Sequence, residues 1–192
     1  HRPDPCTPLE ETCQALALMV RQGKALYVGL SNYPAELAAR AATRLAELGT
    51  PCLVNQLKYS LFQRDIEAET LPVCREQGMG VVAFSPLAGG LLSDRYLEGI
   101  PADSRAASAS PFLQPDQITA DKLARIRALH ALAQQRGQPL SQLALQWVLR
   151  DPVVSCALIG ASSPQQIVSA VEALALPPLD EALQQQILAV LA

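Results

Sequence analysis

Histidine is almost missing from this sequence: His1 and His130 are the only two in 192 residues. Cysteine is sparse as well. None of the five, Cys6, Cys13, Cys52, Cys74 and Cys156, stands at C-x-x-C spacing from another. So few donors, so widely scattered, argue against a zinc site, and an odd cysteine count argues against a disulfide framework; no metal is expected. Charge is low too, at 17% of residues with a net charge of −3. Pairs such as Arg40 and Arg44, or Arg125 and Arg127, read as solvated helix faces, and no basic patch offers nucleic acid a footprint. No stretch approaches the roughly 18 uninterrupted apolar residues of a membrane span, and no signal peptide is visible. The expected setting is the reducing cytoplasm, with neither nucleic acid nor membrane as partner. The sequence does not open on Met, so the expectation is that His1 is a cut end.

What is present is apolar content, 49% hydrophobic over 192 residues, enough to bury one globular core. Cys13, Cys52 and Cys156 sit in apolar runs and read as core. The expectation is one domain, residues 1–192, built from alternating elements. Thr7, Pro8 and Glu10 form a helix start with a capping box, and Gly23 ends that helix. Ala25–Leu30 reads as a strand, Pro34–Leu48 as an Ala-rich helix, and Cys52–Gln56 as a second strand. A helix over Asp65–Gln77 leads to a third strand, Gly80–Phe84, and a short helix over Leu87–Arg95. The polar segment Tyr96–Thr119 reads as a long loop. Helices follow over Ala120–Arg136 and Ser141–Arg150, then a strand over Val153–Ile159 and helices over Ser163–Leu174 and Leu179–Leu191.

Continuous apolar strands alternating with helices predict an α/β protein whose parallel sheet is buried on both faces. Both an open doubly wound sheet and a (β/α)8 barrel satisfy that order. No G-x-G-x-x-G follows a strand, which counts against a dinucleotide-binding Rossmann unit. Barrels run to about 250 residues, so four strands, with the tip of a fifth expected at His1, amount to a partial (β/α)8 TIM barrel.

Barrel chemistry sits where strands finish. The first strand runs into Ser31-Asn32 and the second ends in Asn55-Gln56. The third runs into Phe84-Ser85-Pro86-Leu87-Ala88-Gly89-Gly90, and the fourth into Gly160-Ala161-Ser162-Ser163-Pro164. These residues suit hydrogen bonds to a carboxamide and a ribose, stacking on a flat ring, and close approach of backbone to phosphate. Taken singly each is ordinary: a Ser-Pro pair is commonly a helix cap, a strand-end Phe is commonly core, and a buried Gln is commonly a structural partner. The signal is their recurrence at one end of four successive strands.

His1-Arg2-Pro3-Asp4-Pro5, Thr7 to Thr12, Gly23-Lys24 through Ser31-Asn32, Phe84-Ser85-Pro86-Leu87 and Leu158-Ile159-Gly160-Ala161-Ser162 together resemble the aldo-keto reductases. The branch resembled holds the potassium-channel β subunits and the L-glyceraldehyde 3-phosphate reductases. The resemblance implies the C-terminal strands and helices of an aldo-keto reductase barrel, with the N-terminal strands missing. It implies hydride transfer from NADPH to a small aldehyde or ketone by a tetrad of Asp, Tyr, Lys and His. His1 stands at the histidine that polarises the substrate carbonyl; the Asp, Tyr and Lys precede it in the family. A terminal histidine can also be a tag remnant, but the Arg-Pro-Asp-Pro after it supports the catalytic reading.

The resemblance places Ser31, Asn32 and Gln56 on the nicotinamide carboxamide and Phe84 against its ring. Ser85, Pro86, Leu87 and Gly89 lie along the pyrophosphate. Arg95 and Arg105 fall near the phosphates, where a guanidinium suits the 2′-phosphate of NADP(H). Gly160, Ser162 and Gln166 fall at the adenosine end. The family often has Glu-Asn where this chain has Ser169-Ala170. His130 reads as a solvated or half-buried helix residue. Three functions follow as expectations: an NADP-dependent oxidoreductase, inactive as this chain alone; an NADP-binding regulatory subunit like the channel β subunits; or a barrel whose apparent cofactor residues only pack. Much of the channel branch has Asn at the histidine position, so His1 favours the enzyme. A small carbonyl compound is the expected partner, and assembly with further copies is left open.

Overall fold

A computed structural model describes residues 1–101, 107, 114, 116 and 118–192. Arg105 and most of the expected Tyr96–Thr119 loop lie outside the described residues. The chain is α/β and groups into two compact units.

The first unit comprises His1–Tyr59, Gln63–Phe84 and Asp151–Leu158. It holds helices α1 (Leu9–Arg21), α2 (Ala35–Glu47) and α3 (Thr70–Glu76). Its strands are β1 (Val28–Ser31), β2 (Cys52–Lys58), β3 (Gly80–Phe84) and β4 (Val154–Leu158). The sheet is wholly parallel and its order is β1-β2-β3-β4. A doubly wound sheet reverses its strand order at a switch point. Here every strand lies beside its predecessor, which is the order of a barrel wall. The ambiguity left by the element pattern is thereby resolved in favour of the partial barrel.

In a parallel sheet, aligned residues share a face. Asn55 is 0% exposed and Leu57, Val81 and Ala83 are at most 4% exposed. That face is covered by helices: α2 packs on β2, α3 on β3, and the Cys74 thiol of α3 meets the Asn55 carboxamide. The opposite face is half-open, carrying Gln56, Lys58, Val82 and Phe84. β1 and β2 lie unusually close at one point. A Cβ on Gly29 would fall 2.6 Å from Val54 Cγ2 and 3.1 Å from Val54 O, beside a break in the β1–β2 register.

The second unit comprises Ser60–Phe62, Ser85–Arg150 and Ile159–Ala192. It is built on α4 (Ala120–Gln135), α5 (Leu140–Leu149), α6 (Pro164–Glu172) and α7 (Glu181–Leu191). α4 packs on α5 and α7, and α5 on α6. Thr119 and Asp180 cap α4 and α7, accepting from the amides of Lys122 (3.2 Å) and Leu183 (2.8 Å). Ile126, Leu129, Leu143, Trp147 and Ile187 are buried, and the Arg150 guanidinium lies 3.7 Å from the Trp147 ring centroid.

Several elements differ from the sequence reading. The helix expected over Asp65–Gln77 is confined to Thr70–Glu76, with turns before it. Pro72 explains this: in a longer helix its ring would clash with the Ala68 carbonyl and leave that carbonyl without a donor. Pro8, not Thr7, is the N-cap of α1, and no side chain caps it; the Thr7 hydroxyl instead donates to Asp4 Oδ2 at 2.7 Å. Gly23 does end α1, at φ 67°. The first strand begins only at Val28, because the amides of Lys24 and Ala25 are spent on the Met19 carbonyl at the end of α1. The helix expected over Leu87–Arg95 is two 3-10 turns, Ala88–Gly90 and Asp94–Tyr96, the first of which carries Gly89 and Gly90 at positive φ. Cys156, expected in the core, is exposed, whereas Cys74 is buried.

Candidate functional site

The first unit sets Ser31, Gln56 and Phe84 at one end of one sheet face. Ser31 aligns with Gln56, and Phe84 aligns with Lys58, two residues beyond Gln56 on β2. All three therefore lie on the half-open face, opposite Asn55. The ladder continues one residue past β1, with the Asn32 amide donating to the Gln56 carbonyl at 2.9 Å. Asn32 sits at φ 58°, a left-handed conformation that Asn tolerates better than most residues. Its neighbours hold it there. Asn32 Nδ2 donates to Ser31 Oγ at 3.0 Å, and buried Asn55 Nδ2 donates to the Tyr33 carbonyl at 2.9 Å.

His1 is exposed, and its backbone carbonyl accepts from Asn32 Nδ2 at 3.5 Å. That contact places the start of the chain beside the β1 turn. Asp4 turns back on the segment after it. The Thr7 hydroxyl and the Cys6 amide donate to its carboxylate and hold its pKa below the usual value.

The second unit carries the other predicted residues. Ser85, Ala88 and Gly89 all take positive φ, at 55°, 49° and 71°. Ser85 O accepts from Ala88 N, and Leu87 O from Gly90 N, both at 2.9 Å. Pro86 is buried, while Ser85, Leu87 and Gly89 are half-buried. Glycine at 89 takes its positive φ without the Cβ strain that Ser85 and Ala88 carry. Arg95 is exposed on the second 3-10 turn. Gly160, Ser162 and Gln166 are exposed. Gln166 Oε1 accepts from the Ser162 amide at 2.7 Å and from its hydroxyl at 3.3 Å, so Gln166, rather than the Ser163 hydroxyl, closes the start of α6.

The sequence reading grouped Asn55 with Gln56 as strand-end amides suited to a ligand, whereas Asn55 is buried on the opposite face and donates to the Tyr33 carbonyl. The remaining candidates for acid–base work are few. Tyr33, Tyr59 and Tyr96 are buried, and burial raises the Tyr33 pKa. Burial likewise raises the pKa of Cys13, Cys52 and Cys74, the opposite of an activated thiolate. No group of three His, Cys, Asp or Glu that could hold a metal ion occurs among the described residues, and none of their helices is long and apolar enough to cross a membrane.

In the first unit, strand-end amides and an aromatic stand at one end of a parallel sheet with barrel order. The Aldo/keto reductase family profile matches residues 1–192. The chain belongs to the aldo/keto reductase family. It is 43% identical over 178 residues to the L-glyceraldehyde 3-phosphate reductase of Escherichia coli (strain K12), an alignment covering 91% of this chain and 51% of that protein. It is 38% identical over 185 residues to a probable voltage-gated potassium channel subunit beta of Oryza sativa subsp. japonica, covering 93% and 56%. A putative channel subunit of the same description from Schizosaccharomyces pombe (strain 972 / ATCC 24843) is 38% identical over 180 residues, covering 90% and 52%. The chain thus spans about half the length of the curated relatives it matches. The expected family membership and the expected partial barrel agree with these findings.

Proposed function

We propose that the complete gene product is an NADPH-dependent oxidoreductase reducing small aldehydes or ketones to alcohols, with this chain supplying mainly the cofactor-binding half. The observation that carries this reading is the convergence of Ser31, Gln56 and Phe84 on one face at one end of three adjacent parallel strands, beside the pinned left-handed Asn32. A hydroxyl, two amides and a ring are the donor set that a nicotinamide carboxamide and its flat ring require, so the residues present fit the group. When bound, the dinucleotide supplies the hydride.

The chain's own residues do the rest of the positioning. Ser31, Asn32 and Gln56 would hold the carboxamide, and Phe84 would stack against the nicotinamide ring. The positive-φ backbone from Ser85 to Gly89 admits the pyrophosphate closely. Arg95, with Arg105, meets the phosphates, a guanidinium fork suiting the 2′-phosphate that distinguishes NADPH from NADH. Gly160, Ser162 and Gln166 serve the adenosine end. His1 polarises the carbonyl oxygen through its imidazole. The proton for that oxygen falls to the tyrosine that the family carries ahead of the position matched by His1, a role none of Tyr27, Tyr33, Tyr59 and Tyr96 matches. Small phosphorylated aldehydes are the first substrates to try, given the reductase relative.

The channel-subunit relatives support a second reading, a dinucleotide-binding regulatory subunit. One experiment separates the two. NADPH absorbance is followed with the complete gene product and a panel of aldehydes and ketones. Turnover with at least one is expected; NADPH binding without turnover on any would favour the regulatory subunit. The 192-residue chain alone is expected to show none.

A further inference from the structure

The turn that carries Arg95 is fastened by side chains of α4 and a backbone amide of α5, both in its own unit. Asp94 Oδ1 accepts from His130 Nδ1 on α4 at 3.0 Å and from the backbone amide of Leu140, the first residue of α5, at 3.3 Å. A carboxylate only accepts, so His130 Nδ1 is the protonated ring nitrogen in this contact. One helical turn earlier on α4, Arg127 Nε donates to the Leu97 carbonyl at 3.1 Å. On the other side of the turn, Ser93 Oγ donates to the Gly90 carbonyl at 2.6 Å, and Tyr96 is 2% exposed.

The geometry points to Asp94 and His130 as positioning residues that hold the Asp94–Tyr96 turn so that Arg95 meets the 2′-phosphate of NADPH; this rests on the role of Arg95 proposed above. Two physical reasons support it. A three-residue 3-10 turn has little hydrogen bonding of its own, yet a guanidinium must be set within a fraction of an ångström to bond a phosphate through two N–H groups. The ties at Asp94, Leu97 and Ser93 supply the rigidity that the turn lacks. In addition, Asp94 places a carboxylate next in sequence to the residue meant to meet an anion. Its bond to the first amide of α5, at the positive end of that helix, together with the imidazole, keeps that charge engaged and away from the phosphate.

Asp94 and His130 are half-exposed, with side chains 44% and 24% accessible, so their replacement leaves the core intact. The test measures NADPH and NADH dissociation constants by fluorescence in the complete gene product, alongside thermal unfolding. Arg95→Ala is the reference and is expected to weaken NADPH about tenfold with NADH unchanged. Asp94→Ala and His130→Ala are expected to reproduce about threefold or more of that loss, again for NADPH only. Asp94→Asn, which keeps an acceptor at the same place, is expected to stay within about twofold of the parent. Adding Asp94→Ala to Arg95→Ala is expected to weaken NADPH no further. If Arg95→Ala changes the NADPH-to-NADH preference but Asp94→Ala and His130→Ala do not, the positioning role is overturned while the assignment of Arg95 stands. Equal weakening of both cofactors with a lowered melting temperature also overturns it, as a merely structural contact. No effect of Arg95→Ala overturns the phosphate assignment itself, and this inference with it.

Discussion

Cys74, Cys13 and Cys52 are buried around the inner side of α1–α3, at 0%, 0% and 6% exposure. Burial pushes the Cys74 thiol up to about 11, with the Asn55 carboxamide acting against that push and Cys52 adding to it. The other two thiols, and Tyr33, are raised for the same leading reason. In the unfolded chain the Cys74 thiol ionises near its ordinary value of 9.0. The fold therefore holds a proton that the unfolded chain gives up. This contribution is fully present below pH 9 and is lost as pH rises towards and through about 11. Urea midpoints should be flat up to pH 9 and fall steadily above it, and Cys74→Ala should shallow that fall. Midpoints independent of pH across this window would show that these thiols are not buried as described. Asn55 shows how residue-scale meaning depends on the fold. Its polarity in an apolar strand was legible, but its bond to the Tyr33 carbonyl spans 22 positions of sequence, and no local pattern encodes that partner.

At the scale of elements, periodicity and breakers located the strands and α-helices of the described residues to within a few residues, save around α3 and over Leu87–Arg95, where two 3-10 turns replace the expected helix. Around α3 the breaker is Pro72, whose ring cannot follow the Ala68 carbonyl in a continuous helix. What the element pattern could not give is strand order, because a βαβ repeat is compatible with both a barrel wall and a doubly wound sheet until the pairing of β1 with β2 and β3 with β4 is known. The candidate site followed the same division. Its residues were nameable from strand ends, whereas the face they share depends on register. Register is also where β1 is most vulnerable. With a Cβ at position 29 set 2.6 Å from Val54 Cγ2 and 3.1 Å from Val54 O, Gly29→Ala is expected to cost about 1–3 kcal/mol by overpacking. Trimming the neighbour in Val54→Ala removes the side-chain part of that clash, so the double variant should be less destabilised than the sum of the two singles. Strict additivity in urea unfolding would mean that the close approach of β1 and β2 is not the source.

For the chain as a whole, the question is what its unsatisfied surfaces do. Among the described residues β1 and β4 each pair on one side only, and a parallel edge presents a row of free amides and carbonyls to any partner strand. Apolar side chains add to this. In the first unit Tyr27 is 72% exposed and Leu158 46%; in the second, Ile167, Val168, Val171 and Leu174 of α6 and its end are 52–69% exposed. The helical spacing of Val168 and Val171 within α6 makes an exposed apolar stripe there, and such a stripe marks an interaction site or an aggregation liability rather than ordinary solvent exposure. The 192-residue chain expressed alone is therefore expected to associate, with a light-scattering mass above 20.5 kDa that rises with concentration. Charged substitutions at the most open α6 positions, Val168→Lys with Val171→Lys, should lower that mass without lowering helix content, since both positions are exposed on the helix surface. If association persists undiminished in that variant, the strand edges and not α6 drive it. A monodisperse 20.5 kDa species with one sharp unfolding transition would show instead that the chain satisfies its own surfaces, and that the exposed edges and α6 face carry no association.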